Sequence, residues 1–274
     1  MRRLLLIFLL LPAAANAQSS IRDVDLMNFE YLPYCIGEKP EPIKVKDGKY
    51  FEETDQDGWT EQLYFSIFNI SYGDLTGDGR EEAVVLSVCN TGGTGNFSEG
   101  YIYGYSAGGT QLLARIPGGD RADGGLRTAR VERGELIVES NDPGELGGSC
   151  CPEYIISSRY RLFRGRLIQL DQPTRRDIFP VERVRFPKGK SGVTFKVTIP
   201  ADEGRRYIVG ARAGQSLTVS TDSDDGGLRL LEEVQPVYGI NNFLARLPKN
   251  GDYTIEIRNH AAETREFLVN IKIQ

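Results

Sequence analysis

Tyr207-Ile208-Val209-Gly210-Ala211-Arg212-Ala213-Gly214-Gln215-Ser216-Leu217-Thr218-Val219-Ser220 reads as a strand, a turn and a second strand. Two short runs rich in aliphatic and β-branched residues flank the Ala-Gly-Gln turn, where Gly214 supplies conformational freedom. The same style continues on both sides. Val181 to Phe186, Val193 to Ile199, Gly227 to Leu231, Asn242 to Leu247, Tyr253 to Arg258 and Phe267 to Ile273 are further runs, punctuated by Gly189 and Asn250-Gly251. Evenly spaced short strands with turn signals predict an antiparallel β-sandwich of about eight strands.

Upstream the runs lengthen but the class does not change. Ile43 to Tyr50 reads as a hairpin with Asp47-Gly48 as its turn. Gln62 to Tyr72, Ala83 to Val88, Gly100 to Tyr105, Gln111 to Ile116, Leu126 to Glu132, Glu135 to Ser140, Tyr154 to Phe163 and Arg166 to Leu170 read as strands, while residues 91–95 and 144–152 read as loops. Helical periodicity is almost absent. The expected fold class is all-β, with two β domains. Asp171-Gln172-Pro173-Thr174-Arg175-Arg176-Asp177 reads as a linker. The expected domains are residues 18–175 and 176–274.

Residues 1–17 read as a signal peptide. Arg2 and Arg3 form a charged start, Leu4 to Leu11 a short apolar core, and Ala15-Asn16-Ala17 a small-x-small cleavage pattern. The apolar run is too short to span a bilayer. The expected location is periplasmic or secreted, with no membrane span. Removal of Arg2 and Arg3 takes the net charge from −5 to −7, a poor balance for binding nucleic acid. A hydrophobic fraction of 40% suffices for a core, and 31 glycines make the chain turn-rich.

Between two of the predicted strands lies Asp74-Leu75-Thr76-Gly77-Asp78-Gly79-Arg80-Glu81-Glu82. Asp74, Thr76, Asp78 and Glu82 place side-chain oxygens at the first, third, fifth and ninth positions. A short loop of this kind can wrap calcium, which takes about six to eight oxygens. It is not an EF-hand, because the twelfth position, which needs a bidentate Glu, is Val85. A turn held by Asx hydrogen bonds is the competing reading. Glu53-x-Asp55-x-Asp57-Gly58-x-x-Glu61 has similar spacing but less strand-like flanks, and reads as a solvated turn.

The four cysteines, Cys35, Cys89, Cys150 and Cys151, point to disulfides in an exported chain. Sequence cannot choose among the possible pairings. Adjacent Cys150 and Cys151 can close a vicinal ring or reach separately to Cys35 and Cys89. The second is the expectation adopted, because a vicinal ring stores backbone strain.

Nothing in the chain spells out a catalytic constellation. His260 is the single histidine and reads as a surface residue beside a loop. The cysteines read as oxidised. Gly92-Gly93-Thr94-Gly95 lacks the Lys and helix of a phosphate-binding loop. Tyr101, Tyr103 and Tyr105 alternate along one strand, as an inner sandwich face or an exposed stripe would. The expectation is no enzyme, no catalytic residue and no organic cofactor.

The acidic loop resembles the calcium loops of FG-GAP and VCBS repeats. That resemblance implies side-chain ligands at Asp74, Thr76, Asp78 and Glu82, with the Arg80 carbonyl between them, and a structural calcium ion. The first domain as a whole resembles uncharacterised exported bacterial domains, through Tyr72 to Gly79, Glu82 to Val85, residues 92–95 and Cys150-Cys151-Pro152. The second domain resembles the prepeptidase C-terminal-type β-sandwich and the periplasmic inhibitors of goose-type and invertebrate-type lysozymes. The residues that carry this are Val184 to Gly189, Tyr207 to Ser220 and Leu247-Pro248-Lys249-Asn250-Gly251-Asp252-Tyr253-Thr254-Ile255. The expected role is a binding protein of the cell envelope, with a protein or glycan ligand. The alternative is a lysozyme inhibitor acting through the C-terminal domain.

Overall fold

The computed structural model describes residues 20–36, 41–56, 59–144 and 152–274. The signal-peptide reading, Cys150 and Cys151 lie outside the described residues. The described chain is nearly all β, with helix only as four three-residue 3-10 turns. It divides into two units. Unit 1 takes residues up to Gly118 with Thr128–Val138 and Arg159–Asp171; unit 2 takes Gly119–Arg127, Glu139–Ser158 and Gln172–Gln274.

In chain order the strands are β1 (Glu30–Tyr31), β2 (Ile43–Lys44), β3 (Lys49–Gln56), β4 (Trp59–Gly73), β5 (Glu82–Asn90), β6 (Phe97–Ser106) and β7 (Gly109–Asp120). There follow β8 (Leu126–Glu132), β9 (Glu135–Asp142), β10 (Tyr154–Phe163), β11 (Arg166–Gln169) and β12 (Thr174–Asp177). The last nine are β13 (Val181–Arg183), β14 (Gly192–Ile199), β15 (Gly204–Ala211), β16 (Ser216–Thr221), β17 (Gly226–Leu230), β18 (Val237–Tyr238), β19 (Asn242–Arg246), β20 (Gly251–Asn259) and β21 (Arg265–Ile273).

Unit 1 is built on the meander β3-β4-β5-β6-β7. Its central strand explains the sequence: Ala83, Val84, Val85 and Leu86 are all fully buried, so β5 reads as an unbroken apolar run. On one face lies an aromatic core of Tyr31, Phe65, Tyr101 and Tyr103, with Ile21 and Leu26 from the N-terminal segment. Tyr101 and Tyr103 therefore face inward, and the tyrosine alternation marks packing. The Asp47-Gly48 turn forms as read, with positive φ at both residues, as a type I′ turn requires.

A second sheet runs β11-β10-β9-β8, and β12 also pairs with β10. This pairing corrects the linker reading over residues 174–177, while residues 171–173 lie in no strand. Thr174 to Asp177 pair antiparallel with Ser157 to Tyr154. All four β12 residues are exposed, so the strand carries no apolar signal and is held by its ladder.

The sandwich of unit 2 has two sheets, β13-β15-β20-β17 and β14-β21-β16-β19-β18. Every ladder described in it is antiparallel except β13 with β15, which is parallel. Alternate residues point inward: Tyr207 and Val209, Leu217 and Val219, Tyr253, Ile255 and Ile257, Phe267, Val269 and Ile271. Nine strands stand where eight were read; β18 is the addition.

Candidate functional site

The acidic loop joins β4 to β5. Its carboxylates bind the loop itself. Asp74 accepts the amides of Gly77 at 2.6 Å and Gly79 at 2.9 Å. Asp78 accepts the Arg80 amide at 2.9 Å and pairs with its guanidinium at 2.6 Å. Glu82 accepts the Leu75 amide at 2.7 Å and the Thr76 amide at 3.2 Å. Glu81 is outside this set and pairs with Arg22. Gly77 and Gly79 both have positive φ, which lets successive amides turn toward Asp74. Among the described residues, no group of three or more potential metal-binding side chains converges.

Burial pushes the Glu82 carboxyl above its usual range; the loop's amides oppose this, and the Asp78 and Asp74 charges add to it. Arg80 holds Asp78 below the usual carboxylate range. A cation seated here would have to draw Asp78 away from Arg80.

Cys35 bonds Cys89, with Cα atoms 6.2 Å apart. The pairing of Cys150 and Cys151 with Cys35 and Cys89 is thereby overturned. The reason is register: Cys89 sits on the inner face of β5, under the 3-10 turn that carries Cys35. Beside this bond, Cys35, Ile36, Glu52, Thr54, Glu61, Gln62, Leu63 and Thr91 line an open cleft of about 510 Å³. Of its two carboxylates, Glu52 accepts the Tyr50 hydroxyl at 2.6 Å.

Of the four buried carboxylates described, three sit against arginines, and Glu82 is held by the loop's amides. Glu99 pairs with Arg115 at 2.9 Å in unit 1. In unit 2, Glu203 is gripped by both ends of the Arg176 guanidinium at 2.7 and 2.8 Å, and Glu256 pairs with Arg206 at 2.9 Å. His260 is exposed at the end of β20, as read.

The loop end of the sandwich is different in kind. Three of its loops are tied together by backbone bonds. Thr221 donates to the Asn241 carbonyl at 2.9 Å, and His260 donates to the Asp225 carbonyl at 2.9 Å. Asn259 is the peg beneath them. It is 0% exposed, and its side-chain amide donates to the carbonyls of Ile199, Pro200 and Glu263 at 2.8–3.1 Å. Its oxygen accepts the Ala261 amide at 2.9 Å. Asn259→Ala is expected to cost about 2–3 kcal/mol, because three carbonyls lose their donor in a buried site. Urea unfolding measures it, and a cost under about 0.5 kcal/mol would mean that water replaces the amide.

On this end large apolar side chains face solvent. Ile240 is 88% exposed at the tip of the β18–β19 hairpin, Val237 73% and Tyr238 55%. Leu244, across the ladder from Val237, is 48% exposed. The sequence pattern missed this surface: Val237-Tyr238-Gly239-Ile240 has core composition, and only Pro236 and the Gly-Ile-Asn-Asn turn signal a hairpin tip.

No protein-family model matches the chain. No curated protein matches it either. Solved structures do. The periplasmic inhibitor of g-type lysozyme from Aeromonas hydrophila, PliG, matches at 22% identity and a TM-score of 0.32, over 35% of this chain and 97% of its own. Escherichia coli PliG, as a mutant, matches at 18% identity and 0.30, over 35% and 98%. Salmonella Typhimurium PliG matches at 20% identity and 0.29, over 34% and 97%. Among the described residues, no helix is long and apolar enough to cross a membrane.

Proposed function

We propose that the protein is an exported, non-catalytic binding protein of the cell envelope whose ligand is another protein, held through the C-terminal sandwich. The observation that carries this is the exposed apolar side chains of the β18–β19 hairpin, Val237 and Leu244 paired on its outer face, Ile240 at its tip and Tyr238 on the other face beside Phe243. Grouped apolar side chains rimmed by polar ones mark interaction sites. The non-catalytic part is supported by Glu99, Glu203 and Glu256, each set against an arginine. That arrangement holds charge for structure. A glycan is the weaker ligand, because these groups are mainly aliphatic; the exposed pair Phe51 and Tyr64, opposite each other on β3 and β4, is where a sugar ring would stack. The purified mature protein is expected to turn over no glycoside, peptide, ester or phosphate substrate. Hydrolysis that one carboxylate replacement abolishes would overturn the reading.

Inhibition of a lysozyme is the sharper form of the same reading. It is supported by the resemblance carried on Tyr207 to Ser220 and Leu247 to Ile255. A turbidity assay with goose-type and invertebrate-type lysozymes tests it. Undiminished lysis at micromolar protein would remove inhibition and leave binding.

A structural calcium ion at Asp74, Thr76, Asp78, the Arg80 carbonyl and Glu82 rests on spacing, and on a Glu82 carboxyl raised chiefly by burial and further by the Asp78 and Asp74 charges. If it binds, calcium added to chelator-stripped protein raises Tm by several degrees, since a ligand of the native state alone stabilises that state. Asp78→Ala then abolishes the rise. An unchanged Tm leaves the hydrogen-bonded turn as the whole account. Glu82→Gln separates the two further. A carboxyl raised on folding holds its proton more tightly in the folded state, so stability falls as pH climbs from the unfolded pKa through the folded one. The amide oxygen still accepts from Leu75 and Thr76. In calcium-free buffer at pH 7, Glu82→Gln is therefore expected to be neutral or stabilising, and a marked loss of stability would show the charge to be needed.

A further inference from the structure

We infer that the loop end of the unit 2 sandwich is built to seat a cationic protein, with Ile240 entering an apolar hollow and the neighbouring acidic loop meeting a basic rim. This rests on the protein-binding reading and adds to it the place and the partner's chemistry.

The apolar part is presented on a stiff element. Gly239 donates to the Asn242 carbonyl at 2.8 Å and closes the hairpin. The Tyr238 ring packs edge-on against buried Phe243, at 5.9 Å between centroids. Ile240 is thus held out into solvent, and little conformational freedom is lost when it is covered. The Thr221–Asn241 bond places this tip beside Thr221-Asp222-Ser223-Asp224-Asp225.

The charges of this end lean one way. Asp202, Asp222, Asp224, Asp225, Glu263 and Glu266 stand in its loops and strand ends, against Lys196, Arg205, Arg258 and Arg265. Lys196 is taken by Glu266 at 2.7 Å and Arg265 by Glu263 at 3.1 Å and Asp225 at 3.7 Å, while Arg205 donates to the Gly204 carbonyl at 2.9 Å and Arg258 stands over the Phe179 ring. Asp222 accepts the Leu268 amide at 2.8 Å, and neither Asp222 nor Asp224 makes an ion pair among the described residues. An apolar centre with a charged rim is the layout of a protein interface, and the sign of the rim selects the partner. A second copy of this chain would bring the same acidic loop against itself, so self-association is disfavoured.

Isothermal titration of the full mature chain with a goose-type and an invertebrate-type lysozyme of basic net charge is the test. Ile240→Asp is expected to weaken binding at least about 30-fold with Tm unchanged. Asp222→Asn with Asp224→Asn is expected to weaken it about tenfold at 50 mM salt and to flatten the salt dependence. Phe163→Asp, on unit 1, leaves binding as it was. Wild-type binding that neither variant changes overturns the inference and leaves the binding reading standing. No wild-type binding to either lysozyme overturns the inference together with the lysozyme reading. Self-association in sedimentation, lost in Ile240→Asp, would assign the hairpin to a second copy and overturn the cationic partner.

Discussion

Replacing Cys35 and Cys89 together with alanine is expected to lower the stability of the first unit by about 4 kcal/mol. The bond spans a sequence separation of 54, and closing a loop of that length removes about this much chain entropy from the unfolded state. What the bond ties down adds to the case. Cys35 belongs to the N-terminal segment, which contributes Ile21, Leu26 and Tyr31 to the core through short 3-10 turns and the two-residue strand β1. So short an element has little ladder of its own. Cys89 is 1% exposed on β5 beside Phe65, at the centre of the sheet. Without the bond, that segment is held by side-chain packing and by such contacts as the Tyr31 hydroxyl donating to the Leu26 carbonyl at 2.7 Å. Urea unfolding of wild type and variant without reductant gives the difference. A cost under about 1 kcal/mol would mean that the aromatic cluster alone fixes the segment. Full-length protein with dithiothreitol should approach the variant.

The pairing was the part of this unit that sequence could not reach. Strand existence was legible, because β5 is apolar throughout and the sandwich strands alternate. Leu217 and Val219 sit inside while Thr218 does not, and Phe267, Val269 and Ile271 repeat the pattern. Such periodicity is local and survives without the rest of the chain. Bonds between distant residues leave no such trace. Strand β12 is Thr-Arg-Arg-Asp, composed like a linker, and it becomes a strand because β10 offers an open ladder. The acidic loop shows both sides. Its spacing was readable, but the direction of each carboxylate depends on which amide or guanidinium reaches it first, and Asp78 turned to Arg80. The exposed hairpin was hidden for the opposite reason: Val237 and Ile240 look like core residues until the fold leaves them uncovered.

Glu203→Ala should be the most damaging single substitution in the second unit, at about 3–5 kcal/mol. The carboxylate is 4% exposed, so it has given up nearly all of its hydration. In exchange it takes a two-pronged bond from Arg176, and Arg127 stands 3.7 Å away. Arg127 is itself 16% exposed and is fixed by donating to the Ala201 carbonyl at 2.7 Å. Removing the carboxylate leaves Arg127 charged and largely dry, with a second guanidinium close by, and that penalty exceeds the loss of the bonds themselves. The backbone of Glu203 also matters, because its carbonyl accepts the Asn259 amide at 2.9 Å and so joins this cluster to the loop end. Glu203→Ala keeps that bond, which isolates the side chain. Arg176→Lys should cost less, about 1–2 kcal/mol, since an ammonium keeps the charge and loses the fork. A double-mutant cycle on Glu203 and Arg176 is expected to give a coupling of about 1–3 kcal/mol. Adding Arg127→Met to Glu203→Ala should restore much of the lost stability, because it removes the stranded charge and keeps its volume. If that second change restores nothing, the cost of Glu203→Ala comes from the cavity, and the ion cluster is incidental to the stability of the fold.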